Sequence, residues 1–181
     1  MPTDVRILAA GALLRARGAA DIDHPGGTLL DHLHRVRELL AGWGADPSLQ
    51  VGGLCHAAYG TDGFSTALLR LDERLMLAEM IGAETEQLVY LYGSCDRTHV
   101  YPQLGERAVD FVDRFNGAHT VPAQPALRAF VEITAANELD VVRHNAEIAH
   151  EHGGSLAALF VRAGRHLSFQ AREAWSSQSQ P

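Results

Sequence analysis

The run LLDHLHRVRELL at residues 29–40 decides the fold class. Its apolar residues recur at intervals of three and four, and at about 100° per residue Leu29, Leu33, Val36, Leu39 and Leu40 fill one arc of a helix that extends to Trp43. His32 falls in the middle of that arc, while His34 lies with Asp31 and Glu38 on the opposite, wet side. An imidazole centred on an apolar face needs a hydrogen-bonding partner inside the protein, so the rest of the chain is read for what surrounds it.

Two other segments supply polar groups in apolar settings. Asp46 as N-cap and Pro47 at the first helical position start a helix that reads VGGLCHAAY at 51–59, with almost nothing polar on any face, so it is central and His56 is its exceptional residue. In the segment 124–151, placing Phe130 at the centre of the buried face brings Val141 and Ile148 alongside it, together with Asn137 and His144, with Asp140 at the edge of the stripe. Asp140 and His144 are four apart, within hydrogen-bonding reach on a helix, and Asn137 stands one turn before Asp140.

The same periodicity predicts helices over roughly 4–17, 27–43, 47–59, 70–81, 84–93, 104–116, 124–151 and 154–174, with no convincing strand. The expected architecture is all-α: a single compact helical domain over 1–175 with a flexible tail at 176–181. At 181 residues the chain fits one domain of ordinary size. All 15 basic residues are arginine, which excludes a lysine Schiff base, pyridoxal phosphate held in the usual way and a P-loop lysine. A net charge of −7 with scattered arginines argues against nucleic acid as a partner. Two cysteines, Cys55 and Cys95, make no disulfide framework or CxxC site. The apolar run Ile7–Leu14 is too short to span a bilayer and its flanks fit a secretory signal poorly, so a cytoplasmic protein with no membrane partner is expected.

Three quoted segments, DHLHRVRELL at 31–40, GGLCHAAYGT at 52–61 and ANELD at 136–140, resemble in their order the HD-domain superfamily of all-helical, metal-dependent phosphohydrolases. IGAETEQLVYLYG at 81–93 looks like the helix that follows the HD motif in bacterial alarmone hydrolases, and the wording GL-x-H-x-x-YGT at 53–61 also resembles a bacterial domain family of unknown function. The resemblance implies an HD-like fold. It puts His32 and His56 at the two metal histidines, Ala57 at the metal aspartate and Asn137 at the last aspartate, with Gly60 and Thr61 where alarmone hydrolases keep a water-activating acidic pair. Two carboxylate ligands are thus replaced, and hard cations such as Mn²⁺ and Mg²⁺ prefer oxygen anions. Conventional HD phosphohydrolysis is therefore not expected, nor is a bound metal or other cofactor.

The expected function is that of a small-molecule enzyme whose vacated pocket performs metal-independent acid/base chemistry (isomerisation, cyclisation, elimination or hydrolysis), with His32, His56, Asp140 and His144 as catalytic candidates. Tyr59, Thr61 and Asp62 at the expected pocket rim, Arg97 as an anion-recognising group and Asn137 are the substrate-binding candidates. Two other readings stay open: a metalloenzyme with a rebuilt site at His32, His56, Asp140 and His144, and a ligand-holding pseudo-hydrolase without turnover. A homodimer is possible for an all-α domain with amphipathic end helices. Cys55 beside His56 makes no helical dyad, since adjacent residues point about 100° apart. His150 and His152 near a helix end suit the helix dipole.

Overall fold

The computed structural model describes residues 3–178. Helix α1 spans Thr3–Ala16; a two-residue hairpin, β1 (Asp23–His24) with β2 (Gly27–Thr28), leads into α2 (Leu29–Gly42) and α3 (Pro47–Cys55). A 3₁₀ turn at Leu71–Glu73 precedes α4 (Arg74–Ile81), α5 (Ala83–Ser94) and the one-turn α6 (Arg97–Val100). A second hairpin joins β3 (Phe111–Val112) to β4 (His119–Thr120), and α7 (Gln124–His144), α8 (Ala146–Arg162) and α9 (Phe169–Gln178) complete the chain. The described residues are therefore all-α apart from two small antiparallel pairs.

Local chemistry sets the ends of the helices that carry the histidines. Thr28 caps α2: its hydroxyl accepts from Asp31 N while Asp31 accepts from Thr28 N, a capping box that fixes the first turn one helical turn before His32. The preceding Gly26 has a φ of 78°, and a Cβ there would also meet His144 at 2.6 Å, so glycine is required. Asp46 accepts from Ser48 N and Leu49 N to start α3, with Pro47 at its first position.

The apolar side chains form two clusters that α2 joins. Val36 and Leu40 belong to one, built around Phe130, Ile133 and Leu139 of α7 with Phe111 and Phe160. Leu29, Leu30 and Leu33 belong to the other, with Leu14, Leu54, Leu77 and Ile81. Helix α3 is buried from Val51 to Cys55, and at Gly53 a Cβ would lie 2.2 Å from Leu40 Cδ1, so that glycine permits the close approach of α2 and α3.

Several sequence expectations are corrected. The segment 104–116 is not a helix. Val109, Phe111 and Asp113 are buried at every second position, a strand period, and the chain turns at Asn116 and Gly117 with Asp113 accepting from Phe115 N. The helix expected over 124–151 breaks at Asn145, which leaves helical geometry and caps α8 by accepting from Ile148 N. The helix expected over 154–174 breaks at 163–168, where Ser168 Oγ accepts from Ala171 N and starts α9. The helix expected to reach residue 59 ends at Cys55, and Ala58 O instead accepts from both Leu68 N and Leu69 N of the returning chain. Ser176–Gln178 of the expected tail continue α9, and residues 179–181 lie outside the described residues. Among the described residues no helix is long and apolar enough to cross a membrane.

Candidate functional site

His32 of α2 sits at the centre of a polar cluster enclosed by α2, α3, α7 and the β1–β2 hairpin. It is 1% exposed. Its Nδ1 donates to Asp140 Oδ2 at 2.7 Å, and its Nε2 lies 3.1 Å from Asn137 Oδ1. Asn137 Nδ2 donates to Glu138 Oε1 at 3.2 Å, which leaves Oδ1 to face His32. Both ring nitrogens of His32 thus face side-chain oxygens.

Asp140 shares its two oxygens between His32 and the guanidinium of Arg35. Arg35 Nε donates to Oδ1 at 2.7 Å and Arg35 Nη2 to Oδ2 at 3.0 Å, a bidentate pair. The same guanidinium donates to the carbonyls of Gly26 and Pro25, tying the β1–β2 turn to α7. Burial works against the Asp140 carboxylate, but the hydrogen bonds and charges of His32 and Arg35 outweigh it and hold its pKa at about 2. His144, expected alongside Asn137 on the inner stripe, lies at the outer edge of this pair, its Nδ1 3.2 Å from Asp140 Oδ1. Its Nδ1 donates to Asp140 O at 2.8 Å, and its side chain is 35% exposed in a groove with Arg35, Leu39 and Arg143.

Two more imidazoles touch His32. The ring of His24 stacks on it with centroids 4.0 Å apart, and His56 meets it edge-on at 5.3 Å. Burial, then the charge of His32, drives the pKa of His56 down to about 3, and its Nδ1 donates to Gly53 O at 2.7 Å. The same two causes take His24 to about 4, against a small opposing contribution from the Pro25 backbone; its Nδ1 is shielded from solvent and makes no hydrogen bond of ordinary geometry. Both neighbours are therefore neutral at pH 7, packed against the His32 ring.

A cavity of about 510 Å³ opens onto this cluster, lined by His24, Phe64, Thr61, Arg97, Asn137 and Glu138 among others. Arg97 Nη1 donates to Glu138 Oε1 at 3.1 Å, and its guanidinium lies over the Tyr101 ring. Thr61 is buried and paired through its backbone with Phe64. Asp62 is exposed and accepts from Arg97 N at 2.8 Å, so it positions the segment that carries Arg97. Tyr59 is placed elsewhere: its hydroxyl donates to Glu86 Oε1 at 2.9 Å in a separate buried cluster with Arg74. A roomier groove of about 660 Å³ lies along Trp43, Arg128 and Leu167, but none of the three histidines lines it.

The metal that the HD resemblance implies does not fit these residues. His32 has both nitrogens committed to oxygen acceptors, Ala57 offers no donor, and Asp140 faces a guanidinium. A cation among them would need to displace Arg35, and the same argument counts against a rebuilt site at His32, His56, Asp140 and His144.

Sequence reasoning missed His24, Arg35 and Glu138. Arg35 was visible in principle, since it follows His32 by three residues and so shares its side of α2. Glu138 is the neighbour of Asn137. Nothing local marks His24, because its stacking on His32 depends on how the turn at Pro25–Gly27 folds back over α2.

Residues 13–97 match the model of a family described as a domain of unknown function, DUF6817. No curated protein matches the chain, and no solved structure does. The matched span contains the GL-x-H-x-x-YGT wording and His24, His32, Arg35, His56 and Arg97, whereas α7 with Asn137 and Asp140 lies beyond it.

Proposed function

We propose that the protein is a small-molecule enzyme on an HD-like helical frame, performing metal-independent proton transfer in the cavity walled by His24, Asn137, Arg97 and Glu138. The observation that carries this reading is His24, a cavity-lining imidazole stacked on His32 and held neutral. A neutral ring is available to take a proton in every molecule at pH 7. With its pKa held down by burial first and by His32 second, its conjugate acid is a strong donor, so the proton is readily returned. Asp140, itself clamped by Arg35, holds His32 in place, while Arg97 and Glu138 present a cation and an anion to orient a polar substrate. His56 serves in this reading as a packed, neutral neighbour of His32 rather than as the titrating group. The substrate class is a small polar molecule.

The test is a ligand-observed NMR screen of the untagged chain against a mixture of small polar metabolites, followed by product analysis of any compound that binds. Turnover that falls by about 10²-fold or more in His24→Gln, with binding and melting temperature retained, is the expected result. Turnover that survives in His24→Gln refutes the assignment of the base. A bound compound recovered unchanged from the wild-type protein supports the second reading, a ligand-holding module without chemistry, which the complete pairing of His32 and Asp140 also favours.

A further inference from the structure

Among the described residues, His99, Asp110 and His119 bring their side-chain ligand atoms within 4.8 Å of one another, outside the cavity described above. We propose that these three residues form a surface binding site for a borderline divalent transition ion of the Zn²⁺ class. His99 Nε2 lies 2.9 Å from Asp110 Oδ2, and His119 Nδ1 lies 2.9 Å from the same oxygen and 3.1 Å from Oδ1. For a tetrahedral ion with arms of about 2.0–2.1 Å, donor atoms stand about 3.3 Å apart, so each imidazole need open from the carboxylate by only a few tenths of an ångström, and the two imidazole nitrogens already lie within 4.8 Å of each other. Each imidazole now points the nitrogen bonded to Asp110 inward; on metal binding that nitrogen becomes the ligand and the ring carries its proton on the outer nitrogen.

The residues come from three separate segments, α6, the approach to β3, and β4, and the backbone holds them in register. Gln103 is the clamp. Its Nε2 donates to His99 O at 2.9 Å and to Asp110 O at 3.2 Å, while its Oε1 accepts from Asp110 N at 3.1 Å. Asp96 accepts from His99 N, and the pairing of Val112 with His119 sets the third ligand. Ligand placement that does not depend on the ion reduces the ordering cost of binding it. Two imidazoles and one carboxylate select Zn²⁺, Co²⁺ or Ni²⁺ over Mg²⁺ and Ca²⁺, which prefer all-oxygen shells. The side chains are 40%, 44% and 61% exposed for His99, Asp110 and His119, so the remaining coordination positions face water.

The experiment is calorimetric titration of Zn²⁺ into the untagged, chelator-treated chain in a weakly chelating buffer, with Co²⁺ absorbance as a second readout. One saturable equivalent is expected, weakened at least about tenfold in both Asp110→Asn and His119→Gln and retained in the control His150→Gln. Both test residues are well exposed, and unchanged melting temperatures of the variants without metal establish that they fold. The proposal is overturned if the wild-type chain shows no saturable equivalent, or if the two ligand variants bind as the wild type does.

Discussion

Replacing Asp140 by asparagine removes the one anion that serves both His32 and Arg35, and the structure sets the size of the loss. Asp140 is 2% exposed and the Arg35 side chain 23%. Breaking a buried ion pair by removing one partner costs about 3–5 kcal/mol, and because Arg35 keeps some hydration and its two backbone acceptors the expected loss is at the lower end, about 3 kcal/mol. The carboxylate supplies a separate measure. Its pKa falls from the ordinary 3.8 to about 2 on folding. At 1.36 kcal/mol per pH unit, that makes ionised Asp140 worth about 2 kcal/mol. The sign follows from the direction: a depressed carboxylate stabilises fully above its unfolded value, and the contribution is lost as pH falls through the folded one. By pH 3 about 1 kcal/mol of it is gone. Urea unfolding of the wild type and Asp140→Asn at pH 7 and pH 3 should therefore show a gap of about 3 kcal/mol that narrows by about 1 kcal/mol in acid. A gap under about 1 kcal/mol at pH 7, or one that does not change with pH, would refute the placement of Asp140 between His32 and Arg35.

Three further outcomes are expected. His56 is neutral when folded, at about 3 against an ordinary 6.5, so only the unfolded chain gains its proton as pH falls below 6.5. The wild type should lose about 2 kcal/mol between pH 6.5 and pH 5 through this residue, and the urea midpoint of His56→Gln should lack that slope; parallel profiles would contradict the burial argument. Gly53→Ala places a methyl against Leu40 and should lower stability by about 1–3 kcal/mol in thermal melts, whereas no change would mean that α2 and α3 are not so closely packed. Glu86→Gln breaks a pair in which Glu86, 5% exposed, accepts from Arg74 and Tyr59, and should cost about 2 kcal/mol in the same assay while leaving binding in the His24 cavity intact; loss of that binding would count against treating the clusters as separate.

What residue spacing determines here is what each helix buries. The apolar period of 29–40 places His32 inward, the apolar surroundings of His56 make α3 central, and Asp46 with Pro47 sets where α3 begins. These are local effects of side-chain direction and capping, available to any reader of the chain. The hairpin at 111–120 was misread because a three-residue alternation of buried positions is too short to stand out against the helical period around it. Which buried groups meet which was left to the tertiary structure. Asp140 reaches His32 across 108 residues, a distance in sequence over which no periodicity carries information. His24 stacks on His32 only because a turn with two positive-φ glycines folds the β1–β2 hairpin over α2. The charge state of the cluster follows from that assembly alone: a histidine's spacing says whether it faces inward, but its protonation depends on the acceptors and cations that other segments bring to it.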